Sequence, residues 1–216
     1  MLQMPIIFSR SCANVYPAEL ALYTVDLICH GTPSPKVLEI YLQQNGMDLR
    51  AAEDVNFRNK HLYQLCVDGK SIGTPGVSDS YMVAFLNGLI HTENCYSCRY
   101  AKIERVSDLT LGDSWGSDIL TLHKADGVSL VLCQTVKGQE LLRMAGIHME
   151  KVDLQNAIEH NQQLRRPPVQ PVCREMLLRK LRENKNFNRT VFRLMPKDGI
   201  KRTIKSILLK TGVRRY

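Results

Sequence analysis

The sequence predicts a mixed α/β fold, a mixed sheet flanked by helices, with a C-terminal helical tail. Three observations predict it. Short, nearly continuous apolar runs alternate with segments of helical period as far as about residue 160, which is the pattern of strands covered by helices. Three prolines, Pro167, Pro168 and Pro171, then interrupt the chain, and proline clusters mark linkers or extended arms. Beyond them, apolar residues recur at helical spacing almost to the C-terminus. On this pattern residues 1–163 form an α/β domain, and residues 164–216 form a proline-rich arm with a basic helical tail.

The elements follow in order. "YTVDLICHG", ending at Gly31, reads as a strand covered on both faces. Ser34 and Pro35 suit the N-cap and first position of a helix whose apolar stripe is Val37, Leu38, Tyr41 and Leu42 and whose stop is Gly46. This unit puts Cys29-His30-Gly31 at the carboxyl end of a strand, where open α/β sheets bind ligands. "DVNFRNK" and "LYQLCVDGKSI" read as strands, with Asp68-Gly69 as a hairpin turn. "SYMVAFLNGLI" reads as a short buried helix. "SDLTLGD" and "GVSLVLCQT" read as strands, and "KGQELLRMAG" as a helix closed by Gly146. "IHMEKVDL" alternates as a further strand would. The tail predicts helices over about 173–184, 187–194 and 199–211. The last places Ile200, Ile204, Ile207 and Leu208 on one face and lysines on the other. Two readings are open: it lies on a membrane surface or it packs on the core.

Charge is unevenly spread. The chain of 216 residues has a net charge of +8, yet residues 165–216 hold sixteen Lys/Arg against three Asp/Glu, a balance of +13. A basic tail suits an acidic partner, an anionic membrane surface, or simply a solvated helical face. No nucleic-acid-binding motif accompanies it, and no specific nucleic-acid partner is predicted. No run of about 18 uncharged apolar residues exists, and the N-terminus lacks the basic region and cleavage site of a secretory signal. Seven cysteines, an odd number in a chain of this length, favour a reducing compartment. A cytoplasmic location is the expectation.

The stretch "ENCYSCRYAKIERVSDLTLGDSWG" carries a Cys-x-x-Cys pair, Cys95 and Cys98. Such a pair forms half a zinc site, half an iron–sulfur site, or a redox disulfide, and two plain buried thiols are the alternative. A second knuckle or His pair for zinc is missing, and a helix-N-terminal position for a redox thiol is not evident. An iron–sulfur site needs four thiolates, which need not be contiguous. Cys29 is a credible third and Cys12 a weaker fourth. Arg99, Lys102 and Arg105 follow the pair and would offset the negative charge of such a site. Cys66 and Cys133 fall in predicted strands and Cys173 in the proline-rich arm, and all three read as structural.

"VDLICHGTPSPKVLEIYL", "FRNK", "CYSCRYAKIERVSDLTLGDSWG" and "GVSLVLCQTVKGQELL", in this order, resemble the C-terminal domain of the coenzyme F-420 hydrogenase/dehydrogenase β-subunit family over roughly residues 23–183. The resemblance implies electron transfer through a 4Fe–4S cluster and FAD, between a reduced donor and a deazaflavin or related acceptor. It implies Cys29, Cys95 and Cys98 as cluster ligands. The family's fourth ligand sits in a Gly-Thr-Pro-Cys-Gln loop, for which this chain offers only "FSRSCAN", with Cys12. The family's upstream Cys-rich segment has no counterpart here, which implies an N-terminally truncated member. A redox partner, or a separate ferredoxin-like N-terminal half, would then complete the system.

Other residues carry two readings each. His30 lines the cluster site or is a satisfied loop histidine, and Gly31 permits a tight turn. Arg58 and Lys60 meet a cofactor phosphate or carboxylate, or guard a strand edge. Ser107 and Asp108 anchor the cluster loop or start a strand. Asp113 accepts a hydrogen bond from a cofactor or closes a turn, and Trp115 stacks on a flavin or fills the core. No Ser-His-Asp order, P-loop or His-Glu-x-x-His sequence is present, and no side chain is assigned a catalytic role, since the cofactors would carry the chemistry. The competing readings are a non-catalytic remnant or partner-binding module without cofactor, and a small zinc-stabilised domain.

Overall fold

The computed structural model describes residues 22–59, 62–116 and 128–212. By packing, the chain divides into two units, Met1–His30 with Ser97–Pro168 and Gly31–Tyr96 with Val169–Tyr216. Both are mixtures of strand and helix, so the α/β class expected from the sequence is the class observed.

The first unit is built on a three-stranded sheet of β1 (Val25–Leu27), β5 (Leu109–Asp113) and β6 (Ser129–Cys133). β1 runs parallel to β5, and β5 antiparallel to β6. Helix α4 (Val136–Ala145) starts at Thr135, whose hydroxyl accepts the Gly138 N–H, and ends at Gly146 in the left-handed region. Gly138 has a specific reason to be glycine, because a Cβ there would lie 2.4 Å from the Asp108 carbonyl oxygen. The core is small: Leu130, Ala157 and Leu164, with Ile28, Ile103 and Leu132 packed around them. The strand expected over "IHMEKVDL" is absent. Residues 147–153 have no regular structure, Ile147 and Met149 stand half exposed, and Asp153 instead caps α5 (Leu154–His160) by accepting the Gln155 N–H. Alternation without a sheet edge to pair with makes no strand.

The second unit holds the larger core. α1 (Pro35–Gln44) begins after Ser34, which makes no side-chain capping bond, and buries Val37, Tyr41 and Leu42. β2 (Val55–Asn59), β3 (Leu62–Val67) and β4 (Lys70–Ser71) form an antiparallel sheet. The expected Asp68-Gly69 turn joins the last two with φ of 48° and 74°, as a two-residue hairpin requires. α2 (Ser80–Leu86) is capped by Asp79, which accepts from Met82 N and also from Leu65 N on β3, so one carboxylate ties helix to sheet. α3 (Glu93–Tyr96) is a single turn. The tail contributes α6 (Arg174–Arg182), α7 (Phe187–Leu194) and α8 (Pro196–Lys210). Leu177, Leu181, Phe187 and Val191 from these helices are buried with Tyr41, Leu65, Tyr81 and Met82. Phe187 packs edge-on to Tyr41 at 4.9 Å between centroids. The tail is therefore part of a core, because its apolar positions complete what α1, α2 and β3 leave open.

Candidate functional site

The cysteine-bearing segments occupy defined positions in each unit. In the second unit Thr32–Ser34 runs beside Ile90–Thr92. Ser34 N donates to Ile90 O at 3.0 Å, Thr92 N to Thr32 O at 2.9 Å, and Pro33 bridges His91 in antiparallel fashion. This pairing lays the continuation of Cys29-His30-Gly31 against the approach to Cys95, which is 63 residues away from Thr32 along the chain. The Cys95 Sγ accepts the Thr32 N–H at 3.2 Å and lies 3.4 Å from the Thr92 hydroxyl.

Gly31 is required by close approach. Its φ is +154°, and a Cβ would stand 2.3–2.6 Å from three atoms of the His91 ring. His91 is 1% exposed, with Phe85 edge-on at 5.2 Å and Tyr96 stacked at 6.1 Å. Arg174, from the start of α6, closes this cluster. Its guanidinium donates to the His91 carbonyl at 3.0 Å, pairs with Glu93 and Glu175 at 2.7 Å each, and lies over the Tyr96 ring at 5.2 Å. Arg174 thus holds both ends of the short helix that carries Cys95.

In the first unit Cys29 follows β1 and is exposed, while Cys98 is partly buried. Arg105 organises this region. Its Nε donates to the Lys102 carbonyl at 2.7 Å, and its terminal nitrogens reach the Asp26 carboxylate, the Leu27 carbonyl and the Gln163 carbonyl at 3.3–3.5 Å. The Arg105 side chain is 4% exposed, so its charge is engaged locally, whereas Arg99 and Lys102 remain at the surface. His30 lies on the surface with Nδ1 3.4 Å from the Gln163 amide nitrogen.

Asp108 is the strongest polar anchor of the first unit. One oxygen accepts from Thr24 N at 2.8 Å and Thr24 Oγ1 at 2.9 Å, the other from Thr135 Oγ1 at 2.6 Å, and Lys137 Nζ lies 3.8 Å away. Burial disfavours its charge, but those donors and the lysine outweigh burial and hold its pKa below the usual carboxylate value. Ser107 is also buried, beside Thr110. Both residues fix the start of β5. Asp113 ends β5 at the surface. Trp115 is 45% exposed, which overturns the core alternative for it. A turn too short to fold back leaves the indole on the outside, with Gly116 packed against His160 in its place.

Arg58 lies in β2, its guanidinium over Tyr63 at 4.8 Å and bonded to the Tyr63 hydroxyl at 2.9 Å. It belongs to the second unit, and Ser107, Asp108, Asp113 and Trp115 to the first. Cys12 and Lys60 lie outside the described residues. None of the six described cysteines forms a disulfide, and no three His, Cys, Asp or Glu side chains among the described residues are gathered as a metal site. Cys95 Sγ is set among polar groups, the Thr32 N–H, the Thr32 carbonyl and the Thr92 hydroxyl, and offers sulfur as a ligand atom.

A cavity of about 450 Å³ in the second unit was not foreseen. Tyr41, Thr74, Asp79, Ser80, Arg202 and Ser206 are among its walls. Burial pushes the Asp79 pKa up, despite the Leu65 and Met82 N–H donors and Arg202 nearby, and burial pulls the Arg202 pKa down. The N-cap pattern of Asp79 before "SYMVAFL" was readable, but nothing local links it to Arg202.

Residues 10–159 match a family model that describes the C terminus of the coenzyme F420 hydrogenase/dehydrogenase beta subunit. No curated protein and no solved structure matches the chain. The match includes Cys12, Cys29, Cys95 and Cys98 and stops before the tail helices.

Proposed function

The chain belongs to the coenzyme F420 hydrogenase/dehydrogenase β-subunit family, of which it carries the C-terminal region, and on that footing we propose an electron-transfer oxidoreductase domain that uses a 4Fe–4S cluster and a flavin. The observation that carries the proposal is the Thr32 N–H donated to Cys95 Sγ. It pairs Thr32, in the segment that follows the Cys-His-Gly run, with Cys95 of the Cys-x-x-Cys motif. Cys29, Cys95 and Cys98 are the proposed ligands, with Cys12 as the fourth. Such a cluster supplies a one-electron relay, and a flavin couples one-electron to two-electron steps.

The chain's own residues bind and orient. Thr32 and Thr92 hold the Cys95 sulfur in place. Gly31 lets His91 pack beneath the Cys-His-Gly turn, and Arg174 fixes the Cys95 helix. Arg105 ties the carbonyl of Leu27, two residues before Cys29, to that of Lys102 in the loop after Cys98. Arg99 and Lys102 at the surface offset the anionic charge of thiolates and cluster. In the first unit, Asp113 and exposed Trp115 are the proposed flavin contacts and His30 the proposed lining of the cluster site; separately, Arg58 and Lys60 are proposed to meet a cofactor phosphate or carboxylate. Ser107 and Asp108 act by holding the strand that presents Asp113. A separate ferredoxin-like protein, or other redox partner, supplies electrons. A reducing, cytoplasmic setting keeps these thiols available; no described helix is long and apolar enough to cross a membrane.

The test is anaerobic reconstitution with iron and sulfide. The wild-type chain is expected to acquire iron, acid-labile sulfide and a broad band at about 400 nm. Cys95→Ala/Cys98→Ala is expected to acquire none of these. Zinc alone, or no metal in either protein, overturns the cluster and leaves a zinc-stabilised domain or a cofactor-free binding module.

A further inference from the structure

Helix α8 is packed with its polar side inward. Gly199, Arg202 and Ser206 face the unit it belongs to. Arg202 donates to Ser80 Oγ at 3.0 Å, Ser206 Oγ meets Thr74 Oγ1 at 2.8 Å, and a Cβ on Gly199 would lie 2.4 Å from the Phe192 ring. The opposite face carries Ile200, Ile204 and Ile207, spaced i, i+4, i+7 and therefore in one stripe. They are 53%, 53% and 54% exposed, and Ile207, the last of them, also borders the cavity that Arg202 and Ser206 line. Lys197 and Lys201 are exposed, three positions before and one after Ile200, and so flank this stripe.

A helix that ends in water would reverse this arrangement, since half-exposed isoleucines forfeit the hydrophobic stabilisation their burial would bring. Charge selects the occupant. From Phe187 to Gly212 there are seven Lys/Arg and one Asp. A second copy of so basic a face would be repelled, whereas a negatively charged surface would be attracted. Alternating isoleucine and lysine along one exposed face suits an interface that is apolar below and anionic above. At 15 residues the helix is about 22 Å long, too short to span a bilayer, which needs about 20 residues.

We infer that α8 lies flat on an anionic lipid bilayer, with Ile200, Ile204 and Ile207 among the acyl chains at the headgroup boundary and the flanking lysines on lipid phosphates. This docks the second unit, through residues beyond the family match, to a membrane surface, whatever cofactor the cysteines hold.

The test is co-sedimentation of the full chain with vesicles of phosphatidylcholine alone and of phosphatidylcholine mixed with phosphatidylglycerol. Binding is expected to the mixed vesicles, with little to phosphatidylcholine alone, and is expected to weaken as salt is raised. Each of Lys197→Gln and Lys201→Gln is expected to lower the partition coefficient about fivefold. Ile200→Ser/Ile204→Ser is expected to lower it at least about tenfold while leaving the unfolding midpoint unchanged. The inference is overturned if the folded wild-type chain fails to bind mixed vesicles, or binds both kinds equally at all salt concentrations. It is overturned equally if light scattering shows a dimer that Ile200→Ser/Ile204→Ser dissociates, since the stripe is then a contact between copies. None of these readouts depends on iron or flavin.

Discussion

Replacing Gly31 by alanine tests the packing beneath the Cys-His-Gly turn. The new Cβ would lie 2.3 Å from His91 Cε1, 2.5 Å from Nδ1 and 2.6 Å from Nε2, so ring or backbone must yield by about 1 Å to restore van der Waals contact. The ring has nowhere to go, being 1% exposed between Phe85 and Tyr96. Overpacking of this kind costs about 1–3 kcal/mol. The +154° φ adds about 1–3 kcal/mol for any residue with a side chain. A total of about 2–6 kcal/mol is expected from urea unfolding followed by circular dichroism, with a melting temperature lower by about 10 °C. A double-mutant cycle separates the two causes. His91→Ala removes the obstacle but not the backbone strain. Gly31→Ala/His91→Ala is therefore expected to cost about 1–3 kcal/mol less than the two single costs added. Unchanged stability in Gly31→Ala refutes the reasoning, as does strict additivity in the cycle.

Asp108→Asn and Arg174→Met probe the two polar anchors. The folded-state pKa of Asp108 lies below its ordinary value of 3.8. Its charge therefore stabilises the fold above that value, and the contribution is lost as pH falls through the lower, folded-state pKa. Asn, which turns a donor toward Thr24 or Thr135, is expected to cost about 2 kcal/mol at neutral pH. The gap from wild type is expected to shrink in acid, and a gap of equal size at pH 7 and at about pH 2 argues against the ionised carboxylate. In Arg174→Met the buried bond to the His91 carbonyl is lost, worth about 1.5–3 kcal/mol for a charged donor. The ion pairs to Glu93 and Glu175, which are 68% and 63% exposed, add little. Amides of residues 92–96 are expected to exchange about 10–100-fold faster, and protection equal to wild type would show that Arg174 does not hold the Cys95 helix.

Much of the local structure was legible because it is set by neighbours in sequence. Ser34-Pro35 followed by Val37, Tyr41 and Leu42 specifies α1. Asp68-Gly69 specifies the β3–β4 turn, Gly146 the end of α4, and period alone the three tail helices. "IHMEKVDL" misled because alternation states only that a strand would be two-faced, not that an edge awaits it. Asp153, an N-cap, carried the better signal. Trp115 left two readings open, and its exposure at the turn that ends β5 removes only the buried one. The cysteine motifs were readable as residue types, and the family resemblance implied a shared role as ligands. Their hydrogen-bond environment was not, because the Thr32 donor to Cys95 comes from a pairing of segments 63 residues apart.

By itself the sequence determined most of the element types, the Asp68-Gly69 hairpin, the family, and which residues offer thiol chemistry. Each depends on spacing, on φ preferences, or on motifs that stay close together along the chain. Tertiary structure alone decided that the basic tail shares a core with residues 31–96, that Arg174 clamps the Cys95 helix, and that Asp79 and Arg202 wall one cavity. It also decided which side of α8 packs. Helical period reveals that Ile200, Ile204 and Ile207 share a face, but a stripe does not say whether it looks inward. That depends on what stands opposite, and here Ser80 and Thr74 offer hydroxyls to Arg202 and Ser206, so the polar side turns in and the isoleucines turn out.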